Sequence, residues 1–197
     1  MTRVPAECVL HTRRLIVRLP RLEDAPAIAA FHRSDEAHMR EFGPTTAAEK
    51  ATEFWEGWIP QIRDDFYAGV SCKTFLYEPD DRTVFGAATL SSILRGRFHA
   101  CFLGYNIAAT HEGRGLMREG LQALIAFAFE ELNLHRIMAN YMPRNERSGR
   151  LLQRLGFVVE GTARQYLWIN GVWEDHVMTS LTNPAWRAPG LPNLSGL

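Results

Sequence analysis

Lysine is almost missing from this chain. Of 22 basic residues only Lys50 and Lys73 are lysine and the rest are arginine, which reads as coding bias. Neither sign of charge is in excess: 22 basic and 22 acidic residues give a formal net charge of zero. That argues against a nucleic-acid binder working mainly by bulk charge and leaves room for a local patch. Three cysteines (Cys8, Cys72, Cys101) are too few and too scattered for a disulfide framework or a zinc site. The seven histidines show no metal-ligand spacing, so no metal is expected. No apolar run reaches membrane-spanning length, and the first ten residues carry no signal-peptide pattern. A cytoplasmic protein with no membrane partner is expected.

What is present is ordinary globular material: 197 residues, 46% hydrophobic and 22% charged. No internal repeat or linker divides the chain, so a single domain over residues 1–197 is expected. Its ordered core should cover about 12–186, with a Pro/Gly-rich tail at 187–197.

Leu15, Val17 and Leu19 alternate with Arg14, Ile16 and Arg18, the pattern of a strand with one wetter face. Glu23 and Asp24, with Pro26 in the first turn, open a short Ala-rich helix that runs to His32. Residues 34–45 lack a period and read as loop. Thr46 and Glu49 match a capping box, and Trp55, Trp58, Ile62 and Phe66 then fall on one helical face. Pro60 should kink or split that helix. The two tryptophans fit core packing or the wall of a substrate groove.

Three strands follow over 70–77, 83–94 and 97–108, joined by short turns, an antiparallel meander. A helix with a Leu116, Leu121, Leu124, Ile125, Ala128, Leu132 stripe comes next, then a strand over 136–142. A helix over 147–155 closes on Gly156, and a hairpin turns at Asn170-Gly171. The order β, α, α, three β, α, β, α, β, β predicts an α+β domain: a mixed, mostly antiparallel sheet with helices on both faces.

Chemistry gathers where strand ends meet helix starts. Glu112-Gly113-Arg114-Gly115-Leu116-Met117 can form a concave anion-binding nest at a helix N-terminus. It is neither a Walker loop nor a Rossmann fingerprint, since the lysine and the G-x-G-x-x-G spacing are absent. Taken alone, Gly-Arg-Gly also fits a plain turn.

One helix and one strand later come Asn145, Ser148, Leu151, Leu152, Leu155, Gly156 and Phe157. With the glycine loop, this spacing resembles the GNAT superfamily of acyl-CoA N-acyltransferases. Leu103-Gly104-Tyr105, the run from His135 to Gly149, and Tyr166 to Val177 are similar to the RimJ branch of the RimJ/RimL ribosomal-protein N-acetyltransferases.

The resemblance implies a GNAT fold, with a V-shaped splay between the strand ending near Ile107 and the one starting near Arg136. The pantetheine arm of acetyl-CoA would lie in it like an added strand. Asn106 and Ile107 would bind its amides through their backbones, residues 112–117 would hold the pyrophosphate, and Asn145 would reach in from the far side. Arg114, Arg118 and Arg147 would lie near the ribose phosphate or simply face solvent. Where relatives carry a tyrosine acid this chain has Leu152, so Ser148 is the candidate acid, or else it only orients the cofactor. Glu112 stands for Gln or Arg, and Met117 for a small residue that would leave a wider approach.

Asn140 occupies the place of a glutamate base in some relatives and joins Ser148 as a candidate catalytic residue, although an amide takes up no proton. Leu167 replaces another such glutamate. The base is therefore unassigned, with Glu160, His99 and His176 as candidates. An α-amine is about one-seventh neutral at pH 7 and a lysine amine only a few parts in ten thousand, which favours an α-amine acceptor. The implied activity is direct acetyl transfer from acetyl-CoA to a protein N-terminus, plausibly the alanine terminus of a small-subunit ribosomal protein. The oxyanion would be met by a backbone N–H near Ile107. The alternatives are a small amine such as a polyamine or antibiotic as acceptor, or a catalytically weak CoA-binding ribosome-associated factor.

Overall fold

The structure, a computed structural model, describes residues 4–34, 43 and 46–188. In chain order the elements are β1 (Val9–His11), β2 (Ile16–Arg18), α1 (Ala25–Ser34), α2 (Thr52–Tyr67), β3 (Cys72–Tyr77), β4 (Val84–Leu94) and β5 (Ala100–Ile107). There follow α3 (Leu116–Glu130), β6 (Arg136–Tyr141), α4 (Glu146–Arg154), β7 (Val158–Ile169) and β8 (Val172–Thr182). The expected order is present with one strand more, β1, ahead of it. The loop expected over 34–45 and the tail beyond 188 fall almost wholly outside the described residues.

One sheet holds all eight strands in the order β1-β2-β3-β4-β5-β6-β8-β7, and only β5 and β6 run parallel. Ladder partners share a face, so the two layers can be read from register. Phe75 meets Trp55 of α2, so its face carries α1 and α2. Leu76, one residue on, meets Gly120 of α3 on the opposite face.

Thr46 and Glu49 make the reciprocal capping bonds of a short 3-10 turn over Ala48–Lys50, Thr46 N to Glu49 Oε2 at 2.7 Å and Glu49 N to Thr46 Oγ1 at 3.3 Å; α2 begins after it, at Thr52, and its own N-cap Ala51 makes no side-chain bond. At the β7–β8 turn both Asn170 and Gly171 have positive φ, the signature of a tight hairpin turn.

Two expectations need correction. Pro60 does not split α2, which runs 16 residues without a break. Pro60 and Glu56, whose carbonyl loses its partner, both lie on the exposed side, where water replaces the missing bond. Trp55, Ile59, Ile62 and Phe66 hold the buried side across it. Trp55 is thus core, and half-buried Trp58 lies beneath the Lys73 ammonium at 4.0 Å.

Nor does Arg18 sit on a wet face: it is 1% exposed. Its guanidinium lies 3.7 Å over the Tyr77 ring and bonds Asp24 and Asp81, each at 2.6 Å. A buried cation persists there because two carboxylates and two carbonyls, those of Leu19 and Asp81, take its N–H groups.

Candidate active site

The sheet splits between β5 and β6. Their ladder covers three pairs, Ala100–Arg136, Cys101–Ile137 and Phe102–Met138. Beyond it β5 follows β4, through Leu103–Leu90 to Ile107–Gly86, while β6 follows β8, through Ala139–Thr179 to Tyr141–Val177. Two strand edges therefore diverge from a short seam, and a wedge opens between them.

The 112–117 loop stands at the wedge mouth. Gly113 and Gly115 have φ of 69° and 75°, values that side chains resist. Gly115 is the N-cap of α3 and supplies no side-chain bond, so the first-turn amides keep their anion-binding capacity. Leu116 and Met117 are each 6% exposed and their side chains belong to the core.

Arg14, a residue the sequence reading left unassigned, braces the loop. Its Nη1 donates to the Arg114 carbonyl at 2.8 Å, and its Nε bonds Glu119 at 2.7 Å. Arg147, at the start of α4, makes an ion pair with Glu112 across the mouth, so these two residues connect the two sides. Arg114 and Arg118 are exposed.

On the α3/α4 face, Asn145 caps α4 by accepting from Ser148 N–H at 3.1 Å. Ser148 Oγ lies 2.6 Å from the hydroxyl of Tyr105, which reaches across from the diverging part of β5. Burial, and secondarily the neighbouring Tyr141, push the Tyr105 phenol up to about 12 against the Ser148 hydrogen bond. In the sequence Tyr105 stands out only as part of a motif. Its alternation with Leu103 and Ile107 marks a face, but no sequence signal joins it to Ser148.

Asn140 points to the other face. Its Nδ2 donates to Tyr166 Oη and its Oδ1 accepts from Thr179 N–H, both at 3.4 Å. Counting two residues on from the Phe102–Met138 pair sets Gly104 opposite Asn140 across the wedge. A Cβ on Gly104 would meet nothing within 4 Å, so the approach from this face is open. Asn106 shares that face, and Ile107 lies where β5 ends.

Of the proposed bases, Glu160 is bonded to Arg136 and Ser180, which hold its carboxyl below the usual range. His99 sits at the closed end, against Trp186. His176 is buried beside Tyr166, on the Asn140 side of the sheet. Among the described residues no group of His, Cys, Asp or Glu could hold a metal ion. No helix there is long and apolar enough to cross a membrane.

Residues 14–158 match the Acetyltransferase (GNAT) domain family. Over 182 residues, 92% of this chain and 93% of the relative, it is 41% identical to the [ribosomal protein uS5]-alanine N-acetyltransferase of Escherichia coli K12. The crystal structure of ribosomal-protein-S5-alanine acetyltransferase from Vibrio fischeri superposes with a TM-score of 0.88 at 33% identity, over 92% of this chain and 100% of that one. Mycobacterium smegmatis RimJ in complex with CoA-disulfide gives 0.81 at 25% identity, over 89% and 86%. With its split sheet, its braced glycine loop and these full-length likenesses, the chain belongs to the GNAT acetyltransferases.

Proposed function

We propose that this protein transfers the acetyl group of acetyl-CoA to the N-terminal α-amine of a protein, the alanine terminus of a small-subunit ribosomal protein. The acceptor rests on one observation: 41% identity along nearly the whole length of a uS5-alanine N-acetyltransferase. Such an acceptor is met in the cytoplasm.

The site's own residues take the following parts. The amides of Glu112, Gly113, Arg114, Gly115, Leu116 and Met117 hold the donor's pyrophosphate, and the Asn106 and Ile107 backbone holds its pantetheine arm. A backbone N–H near Ile107 stabilises the oxyanion. Asn145 fixes the first turn of α4 beside the donor. Asn140, clamped between Tyr166 and Thr179, orients the amine on the side where Gly104 leaves room. Ser148 supplies a proton to the departing sulfur from the opposite face. A water relay suffices to remove the amine's proton, because a substantial fraction of α-amines is already neutral. Transfer is direct and relies on positioning.

The test is thiol release from acetyl-CoA with peptides beginning in alanine, with the same peptides blocked at the N-terminus, and with spermidine. Turnover confined to the free alanine terminus is expected. Turnover with the blocked peptide or with spermidine alone overturns the acceptor assignment.

A further inference from the structure

The 2.6 Å contact between Tyr105 and Ser148 does more than hold α4 to β5. A serine hydroxyl is about as weak an acid as water, whereas an ordinary thiol titrates near ~8.5. Protonating a thiolate from serine alone would strand the charge on an alkoxide, far uphill. A phenol within hydrogen-bond reach offers a far easier resting place for that charge.

We propose that Tyr105 is the source of the proton that Ser148 delivers to the leaving sulfur. The phenol O–H donates to Ser148 Oγ, and the serine O–H faces the wedge. As the amine nitrogen bonds to the carbonyl carbon and the carbon–sulfur bond breaks, the electron pair stays on sulfur. The serine proton passes to sulfur and the Tyr105 proton to serine, leaving a phenolate. The amine gives up its surplus proton to solvent, and the phenolate regains one from solvent. This inference rests on the acetyl-transfer reading above and deepens it.

Three further features fit. Tyr105 stems from the diverging stretch of β5, and its ring stands on the face that carries α4, against Ser148. Ser148 is held by the Asn145 cap, so its hydroxyl meets the phenol in a fixed place. Burial lifts the phenol to about 12, so it keeps its proton through neutral pH and remains a much stronger acid than an alkanol. Because Tyr105 acts through Ser148, its loss should show in turnover and not in donor affinity.

The experiment replaces Tyr105 by Phe, Ser148 by Ala, and both together, using any amine the wild-type enzyme acetylates, so that a wrong acceptor leaves the test intact. Tyr105→Phe is expected to lower kcat about 100-fold. CoA affinity measured by calorimetry should stay within about threefold, and the double variant should be no slower than about threefold below the worse single one. Fluorinated tyrosines of graded acidity at position 105 should make kcat follow phenol acidity, and the dependence should vanish with Ser148→Ala. A Tyr105→Phe enzyme within about threefold of wild-type kcat, or a flat fluorotyrosine series, overturns the relay.

Discussion

Tyr141 lies so close over Gly149 that a Cβ there would come within 2.8 Å of its ring carbons. The ring belongs to the end of β6 and the glycine to the first turns of α4, so this contact sets how near the helix approaches the wedge. Gly149→Ala should gain about 1 kcal/mol of helix propensity and spend it on displacing the ring. The melting temperature should stay within a few degrees while KM for acetyl-CoA rises about tenfold or more, as thermal melts and steady-state kinetics would show.

On the proposed binding mode the Glu112–Arg147 pair places a carboxylate where the anionic pyrophosphate enters. Glu112→Gln removes that repulsion and turns Arg147 toward the phosphates. Calorimetry should show CoA binding ~2–5-fold tighter at low salt. The gain should shrink as ionic strength rises, because the charges are partly exposed. Arg147→Ala should weaken binding in both the wild-type and Glu112→Gln backgrounds.

Removing Asp24 leaves the Arg18 guanidinium deep in the fold with half its compensation gone. Asp24→Ala should cost about 3–5 kcal/mol in urea unfolding. Asp24→Asn keeps the shape and one acceptor and should cost less. Neither variant touches the wedge, so kcat of the surviving folded enzyme should be unchanged.

His32 predicts an acid limb in stability. It is 6% exposed and stacked on Trp55, and burial lowers its pKa to about 4, with Glu49 opposing and Lys73 assisting. Its unfolded value is near ~6.5, so below that pH the unfolded chain binds a proton that the folded one refuses. Stability is therefore full above about pH 6.5 and falls toward pH 4, by about 3 kcal/mol from this residue. His32→Phe should flatten that window in urea titrations at pH 7 and 4.5. Asp81 acts lower down. Burial raises its pKa, but Arg18 and then Arg21 outweigh this and hold it below the carboxylate range, so its contribution is lost only below about pH 4.

How much of this was legible in the sequence depends on how local the cause is. Asn170-Gly171, Gly113 and Gly115 act through their own backbone angles, and Thr46–Glu49 through a bond three residues long; each could be read from the chain alone. The wedge was legible only because the glycine loop and the 145–157 spacing together carry a family likeness. Tyr105 and Ser148 are 43 residues apart, and Arg14 and Arg114 are 100 apart. Whether such pairs meet is decided by strand register, which no single-sequence pattern encodes. The burial of Arg18 was hidden for the same reason: its two acids come from separate turns.

The three rungs that tie β5 to β6 have a mechanical consequence. Past Phe102 and Met138 the two leaves share no ladder among the described residues, and the Tyr105–Ser148 hydrogen bond and the Glu112–Arg147 ion pair tie them instead. On the proposed binding mode the thioester lies between the leaves and stiffens both, so amide exchange at residues 103–107 and 139–141 should slow when CoA is added. On that binding mode the enzyme should be most rigid while it holds the compound it is about to cleave, and should loosen as the product thiol departs.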